Sequence, residues 1–287
     1  MASLPASPFR IALVGAGRVG TAVASLLKEA GHRIVSVSSR SHDSASAAAT
    51  RLGAPVIELA KVDDVDVLLL AVPEAAVRQV VATLPPAGSV VIHFAGAAGI
   101  APLAPAAGRA LCALHPVQAC PDVDTAIRRL PGSAWGVTCS QGAEEWVRRL
   151  IEEDLQGTAF GVSEEDRVVW HAAAVTTSNG ISALLAVGEA LLASIGVAQP
   201  EQVLGPIAAG TLLNALESGG GGLALTGPVV RKETELIGRH VTEIARRAPH
   251  LLPAYLQSLH MIVSGALVAG RIDRADELLL RQALDSR

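Results

Sequence analysis

The hydrophobic positions in the first half of the chain form short apolar runs separated by helical repeats. Apolar runs lie at residues 11–14, 34–37 and 67–71, and similar runs recur within 88–96, 109–117, 133–140 and 157–162. Between the first two runs, Val19, Val23, Leu26 and Leu27 have the spacing of one helix face. Short strands that alternate with helices predict a mostly parallel, doubly wound sheet with helices on both faces. We therefore predict an α/β domain over residues 1–162.

From Ser163 onward the apolar positions recur at helical spacing. Ser163 and Asp166 are typical of a helix start, and the following apolar run continues to Ile195 before Gly196. Further helices are predicted over 201–218, after the glycines 219–222 with Thr226 as N-cap and Pro228 in the first turn, and over about 253–270 and 273–283. This pattern predicts an all-α domain over residues 163–287.

The long helix that begins near Val168 carries an unexpected polar stripe. His171, Ser178, Ser182 and Glu189 fall close to one line along it, and Asn179 flanks that line. Such a stripe is typical either of an internal hydrogen-bond network or of the wall of a ligand site. Both interpretations remain open from the residues alone.

A glycine-rich turn follows the first predicted strand. Gly15, Gly17 and Gly20 have the spacing G-x-G-x-x-G, and a helix and a second strand follow. The first glycine allows a tight turn, the second lets a pyrophosphate approach the backbone, and the third lets helix and strand pack closely. The helix N-terminus adds free N–H groups and partial positive charge. The unit predicts a Rossmann dinucleotide site that includes Gly15, Ala16, Gly17, Arg18, Val19 and Gly20.

The end of the second predicted strand indicates which dinucleotide binds. An NAD site usually has Asp or Glu there to bind the ribose 2′-hydroxyl. Here the strand ends in Ser38, Ser39 and Arg40, and no carboxylate occurs before Asp43. A guanidinium group is a fork-shaped phosphate ligand, so Ser39 and Arg40 favour the 2′-phosphate of NADP(H). The alternative is that Arg40 is a solvated loop residue.

Composition and charge narrow the function classes. Half of the 287 residues are hydrophobic but only 2% are aromatic, which predicts a core of Ala, Val and Leu. The net charge of −4 argues against a nucleic-acid partner, because phosphate contacts need a basic face. The cysteines at 112, 120 and 139 lack metal-ligand spacing, and no metal site is predicted. Without a purely apolar stretch of about 18 residues or a signal-peptide core, we expect a cytoplasmic protein with no membrane partner.

Other candidate residues follow predicted strands. Val72 and Pro73, His93, and His115 with Pro116 all fall at carboxyl ends, where ligands of parallel sheets bind. Val72 and Pro73 are therefore assigned to the cofactor site. In the second half, residues 259–270 carry more apolar surface than one small domain needs to cover, which favours a homodimer through the C-terminal helices.

The chain resembles a family of bacterial oxidoreductases that join a Rossmann-like domain to a C-terminal helical domain of unknown function. The matching stretches are VGAGRVGTAV, LLLAVPE, HFAG, LHPVQA, WHAAAVTTSN and ALTGPVVRKE. Wider relatives are similar to 6-phosphogluconate, β-hydroxyacid and prephenate dehydrogenases, ketopantoate reductase and pyrroline-5-carboxylate reductase. The resemblance implies an enzyme, an NADPH-dependent reductase of a small 2-oxo acid, with 2-dehydropantoate, from pantothenate biosynthesis, as the best single substrate. An imine reductase, a prephenate-type dehydrogenase and a non-catalytic NADP-binding sensor or scaffold are the alternatives.

The resemblance also implies site residues. β-Hydroxyacid dehydrogenases and ketopantoate reductases place a catalytic lysine four residues before the helix asparagine, and here that position is Val175. Prephenate dehydrogenases use a histidine in an HP loop, so His115 is the first candidate for the general acid, with His171 second and Asn179 as a further catalytic residue. Close relatives have HxSG where this chain has HFAG at residues 93–96, and RGD where it has RKE at residues 231–233. The expected substrate-binding residues are His93, Gly96, Ser178, Thr226 and Arg231.

Overall fold

The computed structural model describes residues 4–63, 65–85 and 88–285, and its chain divides into two compact units, residues 1–176 and 177–287. Residues 1–3, part of the segment expected to lack a signal-peptide core, lie outside the described part. The first unit is built on a seven-stranded sheet. Its strands are β1 (Arg10–Val14), β2 (Arg33–Ser38), β3 (Val67–Leu70), β4 (Val90–His93), β5 (Ala110–Pro116), β6 (Ala134–Cys139) and β7 (Thr158–Gly161).

The strand order is β2-β1-β3-β4-β5-β6-β7. Strands β1 to β5 pair in parallel, β6 is antiparallel to β5, and β7 is parallel to β6. The chain moves outward from β1 to β2 and then returns to the other side of β1 with β3. This reversal places the carboxyl end of β1 at the topological switch point, where α/β sheets bind ligands. The predicted mostly parallel α/β domain is confirmed.

Helices connect the strands as the sequence pattern predicts. They are α1 (Arg18–Glu29), α2 (His42–Leu52), α3 (Glu74–Thr83), α4 (Val123–Arg129) and α5 (Glu144–Arg149). Helix α5 continues into a wider, π-helical turn, Leu150–Asp154. Short 3-10 turns occupy Leu59–Lys61 and Ala101–Ala106.

The sheet is buried on both faces because side chains alternate along each strand. In β1, Ile11 and Leu13 belong to one core cluster, and Ala12 and Val14 belong to the cluster on the opposite face. All four are at most 4% exposed. A strand buried on both faces must be a continuous apolar run, which explains the pattern of residues 11–14.

The second unit is helical. It contains the rest of α6 (Arg167–Ala193), α7 (Pro200–Glu217), α8 (Thr234–Arg247), α9 (Leu252–Val268) and α10 (Arg274–Asp285). Its buried cluster consists mainly of residues on α8, α9 and α10, including Ile237, Val263 and Leu280. The all-helical character of this part of the chain agrees with the sequence pattern.

Two details differ from the sequence prediction. Thr226 is not an N-cap, because α8 begins only at Thr234. The intervening residues form tight turns, with positive φ angles of 92° at Gly227 and 59° at Lys232 that a helix cannot contain. The compact units separate after Thr176, whereas the sequence placed the domain boundary at 162/163. The first turns of α6 pack against the sheet through Arg167 and Trp170, which extends the first unit beyond its last strand.

Helix α6 is largely exposed although it is apolar. Helix α6 and the segment Pro249–Val268 are long and apolar enough on average to cross a bilayer by length and composition alone, although polar residues interrupt both. Core helices of soluble proteins pass the same test. The 18-residue apolar window of α6 contains no buried residue.

Candidate functional site

The three glycines after β1 meet three different environments. Gly15 has a φ of +92°, and a Cβ atom there would overlap the carbonyl oxygen of Ala71. A Cβ atom on Gly20 would overlap the Ala71 side chain, so this glycine lets α1 pack on the end of β3. A Cβ atom on Gly17 would be 3.8 Å from its nearest neighbour, the Ala71 carbonyl oxygen, so a ligand can approach the backbone at this glycine. These are the three roles that a dinucleotide-binding turn requires.

The N-terminus of α1 is also free to bind an anion. Gly17 is its N-cap and provides no side-chain cap. The first-turn N–H groups of a helix lack intrahelical acceptors, and the helix dipole places partial positive charge on them. The turn and the helix end together fit the pyrophosphate of a dinucleotide.

A cavity of about 850 Å³ lies beside this turn. Seven of the predicted cofactor residues line it: Gly15, Ala16, Gly17, Ser39, Arg40, Val72 and Pro73. The other three lie in the first turn of α1. There the Arg18 guanidinium donates a hydrogen bond to the Pro121 carbonyl at 3.1 Å, Val19 packs against the core, and Gly20 is buried.

The guanidinium cation of Arg40 lies at the far end of the cavity. Arg40 is exposed at the end of β2, and within the described residues its guanidinium has no hydrogen bond or ion pair. The Glu58 carboxylate also lines the cavity but pairs with Lys61 at 3.2 Å. Residues 56–59 were missed by the sequence reasoning, because nothing in their chemistry indicates that Val56 bridges to Val37 in β2. The arrangement fits a phosphate on the ribose better than a free hydroxyl.

His93 does not have the role predicted for it. The residue is fully buried, its Nδ1 accepts a hydrogen bond from the Ala95 N–H at 3.1 Å, and its Nε2 lies 2.7 Å from the Gly99 carbonyl. Because Nδ1 accepts a hydrogen bond, the single hydrogen of the neutral ring is on Nε2. His93 is therefore an uncharged group whose two hydrogen bonds hold the loop after β4. Burial lowers its pKa. Neither ring nitrogen remains for a substrate.

His115 and His171 lie together at the carboxyl end of β5. Their ring centroids are 5.2 Å apart, with the rings nearly perpendicular at 80°. The Trp170 indole N–H donates a hydrogen bond to His115 Nδ1 at 3.2 Å. His171 lies against Gly96, where a Cβ atom would overlap its imidazole. Its Nδ1 is buried and finds no hydrogen-bond partner among the described residues. Of the residues predicted to contact substrate, the structure therefore brings together His115, His171 and Gly96.

The surroundings of His115 keep it uncharged. Burial, His171 and the Arg167 cation together lower the pKa of His115 from 6.5 to about 4. At neutral pH the ring is therefore an uncharged imidazole that can donate one N–H and accept at the other nitrogen. The role of His115 as general acid stays a prediction.

Arg167 is the main residue that sequence reasoning missed. Its side chain is fully buried, and its guanidinium donates to the carbonyls of Ala95, Ala98, Gly136 and, at 3.4 Å, Ala113. These carbonyls belong to the loop after β4, to β6 and to β5. Arg167 thus ties the start of α6 to three segments around the histidine pair. An arginine in a first helical turn normally indicates an exposed residue, so the sequence contained no signal for this role.

The remaining predicted residues belong to the second unit. Asn179 and Ser178 are exposed on α6, and Thr226 lies in the turns before α8. The Arg231 guanidinium pairs with Glu233 at 2.9 Å. Their roles in binding or catalysis stay predictions. Within the described residues, no group of three or more His, Cys, Asp or Glu side chains could hold a metal ion.

Family comparisons identify the two parts of the chain. Residues 2–116 match the Rossmann-like domain, and residues 133–260 match a domain of unknown function, DUF2520. The chain therefore combines a segment that matches the Rossmann-like domain with a segment that matches DUF2520, which confirms the combination that the sequence resemblance implied. No curated protein sequence matches this chain.

Solved structures share the fold over nearly the whole chain. A provisionally named NADP oxidoreductase from Bacteroides fragilis is 22% identical with a TM-score of 0.72, over 88% of this chain and 97% of the other. A protein from Thermotoga maritima is 19% identical with a TM-score of 0.67, over 96% and 98%. An imine reductase from a Pseudomonas species is 15% identical with a TM-score of 0.64, over 96% and 99%. At these identities the likeness concerns the fold.

Proposed function

We propose that this chain, a Rossmann-like domain followed by a DUF2520 domain, is an NADPH-dependent reductase of a small carbonyl compound. The main support is the glycine turn, which leaves room for a ligand at Gly17 and borders a cavity of about 850 Å³. The cavity ends at Arg40, whose cation has no partner in the part of the chain that the structure describes. Gly15, Ala16 and Gly17 would hold the pyrophosphate, and Ser39 and Arg40 would hold the 2′-phosphate. That similar folds include proteins named NADP oxidoreductase and imine reductase supports this class.

When bound, the nicotinamide supplies a hydride to an electrophilic carbon. The protein must then stabilise negative charge on the atom bonded to that carbon. His115 suits this task, because it is half-buried at the carboxyl end of β5 and uncharged at neutral pH. A neutral imidazole N–H stabilises a developing alkoxide by donating a hydrogen bond. We propose that His115 donates a hydrogen bond to the substrate oxygen and that His171 delivers the proton that converts the resulting alkoxide into the alcohol.

The hydrogen bond that His115 would donate favours a carbonyl substrate over an imine. A carbonyl oxygen accepts a hydrogen bond from an imidazole N–H, whereas a protonated imine presents its own N–H to it. A carbonyl compound is therefore the proposed substrate class, and its restriction to a 2-oxo acid comes from the family resemblance. The narrower assignment to 2-dehydropantoate and pantothenate biosynthesis rests on the family resemblance alone. Reduction of cyclic imines is the alternative that the same assay tests.

The assembly and location belong to the proposal as well. Helix α7 has no buried residue, and its large apolar side chains are exposed at positions 203, 207, 212, 213 and 216. A second copy of the chain would cover such a surface, so we propose a soluble, cytoplasmic homodimer.

The reductase activity can be tested with a panel of 2-oxo acids and cyclic imines. NADPH consumption should appear with a carbonyl substrate and fall by about 100-fold in the His115→Phe variant, the usual scale for a lost acid–base or hydrogen-bonding group. The His115→Gln variant should recover part of the rate, since its amide nitrogen can donate from a position similar to Nε2. Equal rates in all three proteins would remove His115 from the mechanism.

A further inference from the structure

We propose that Trp170 is a positioning residue that fixes His115 in the tautomer with hydrogen on Nε2 and opposes protonation of Nδ1. His115 then meets its ligand as an uncharged donor with a single orientation. The identity of that ligand rests on the proposed function, but the tautomer and charge of His115 do not.

The direction of one hydrogen bond determines the tautomer. The indole nitrogen of Trp170 lies 3.2 Å from His115 Nδ1. An indole N–H can only donate, so His115 Nδ1 must be the acceptor. A neutral imidazole that accepts at Nδ1 carries its hydrogen on Nε2. Protonation of Nδ1 would place two N–H groups against each other and lose the hydrogen bond.

Gly136 makes this contact possible. Strands β5 and β6 pair His115 directly with Gly136, so the indole that reaches His115 must pass over this glycine. A Cβ atom on Gly136 would come within 2.6 Å of the Trp170 indole nitrogen. The ring also lies near Phe160, with centroids 6.3 Å apart. The position of the indole is therefore specified by the strand as well as by α6.

The charged groups around His115 act in the same direction. Arg167 and His171 on α6 both lower the pKa of His115, in addition to burial. His93 on β4 is neutral through its own two hydrogen bonds. Arg167 contributes charge but does not select a nitrogen, because its guanidinium donates to backbone carbonyls. Only Trp170, among these groups, distinguishes Nδ1 from Nε2.

The test is the nitrogen NMR spectrum of the histidine side chains, recorded against pH on the full-length protein without cofactor or substrate. In the wild type we expect a pyridine-like shift for His115 Nδ1 and a pyrrole-like shift for Nε2, assigned by comparison with His115→Gln. In Trp170→Phe, which keeps an aromatic ring but lacks the N–H, we expect a mixture of tautomers. The pKa of His115 should also rise above about 4, because protonation of Nδ1 no longer costs the indole hydrogen bond, while burial, His171 and Arg167 still hold it below 6.5.

Two further variants separate positioning from general damage. Trp146→Phe removes an indole N–H that donates to the Pro5 carbonyl at 3.0 Å, and it should leave the His115 signals unchanged. His171→Asn should raise the pKa of His115 while the Nε2–H tautomer persists. Should Trp170→Phe fail to fold, Gly136→Ala displaces the same indole and should produce the same mixture of tautomers.

The NMR test of Trp170 and the test of reductase activity can fail independently of each other. An Nδ1–H tautomer in the wild type, or an unchanged tautomer and pKa in Trp170→Phe, would overturn the role of Trp170 whether or not the protein reduces any substrate. The expected spectra with no NADPH consumption would retain this role and remove the reductase. Where activity is found, Trp170→Phe should lower kcat by about 10-fold and shift the acidic limb of the pH profile upward, with little change in NADPH affinity.

Discussion

Gly20 lies directly against the side chain of Ala71, whereas a Cβ atom on Gly17, three residues earlier, would fit at 3.8 Å from the Ala71 carbonyl oxygen. The two glycines of one motif therefore serve packing and ligand access separately. We expect Gly20→Ala to lower the free energy of unfolding by about 1–3 kcal/mol, because the added methyl group has no room. Gly17→Ala should stay within about 0.5 kcal/mol of the wild type. Denaturant titration measures both.

The same pair separates folding from binding. Gly17→Ala places a methyl group where the pyrophosphate approaches the backbone, so NADPH affinity should fall at least about 10-fold in a stable protein. A Gly17→Ala protein that binds NADPH like the wild type would show that the cofactor does not use this turn.

Arg40 should determine the choice between cofactors. Arg40→Ala removes a cation from the cavity, and a lost charge-assisted hydrogen bond of about 1.5–3 kcal/mol should weaken NADPH about 10-fold or more. NADH affinity should hardly change. Arg51→Ala is a matched control, because Arg51 on α2 pairs with Asp124 at 2.7 Å and does not line the cavity. Calorimetric titration with equal losses for both dinucleotides would contradict this role.

The low pKa of His115 predicts how stability changes with acid. Its pKa is about 4 in the folded protein, against an ordinary 6.5, so between these values the unfolded chain binds more protons. The contribution to stability is complete above pH 6.5 and is lost as the pH falls toward 4. His115→Phe should reduce this pH dependence in denaturant titrations. If the slope is identical in both proteins, His115 is not held neutral by the fold.

The exposed surface of α7 predicts a second copy of the chain. We expect light scattering at micromolar concentration to give the mass of a dimer. Leu216→Glu, at a side chain that is 79% exposed, should favour the monomer without unfolding α8 to α10. A wild-type monomer under these conditions would remove the homodimer proposal.

Local sequence patterns were sufficient to predict most of the fold. The continuous apolar run of β1 and the glycine spacing after it are local signals, and they correctly placed the strand and the glycine turn that follows it. Thr226 was misplaced because a capping residue followed by Pro228 resembles a helix start, whereas positive φ angles at Gly227 and Lys232 prevent one. The surroundings of the histidines could not be predicted.

Long-range contacts explain that failure. Arg167 reaches the carbonyl of Ala95, 72 residues earlier, and Trp170 reaches His115, 55 residues earlier. Periodicity describes neighbours along one element and contains no information about such pairs. The sequence therefore identified His115 and His171 as candidates but could not show that the fold keeps His115 uncharged.

The central claim is that the chain transfers a hydride from NADPH to a small carbonyl compound. The most direct test is incubation with NADPH deuterated at the transferred position of the nicotinamide, together with the panel of 2-oxo acids and cyclic imines, followed by mass spectrometry of the products. We predict one deuterium on the former carbonyl carbon of an oxo acid, and loss of this product in His115→Phe. Deuterium in an amine product alone would identify an imine reductase. Tight NADPH binding without deuterium in any product would contradict the reductase and indicate an NADP-binding sensor.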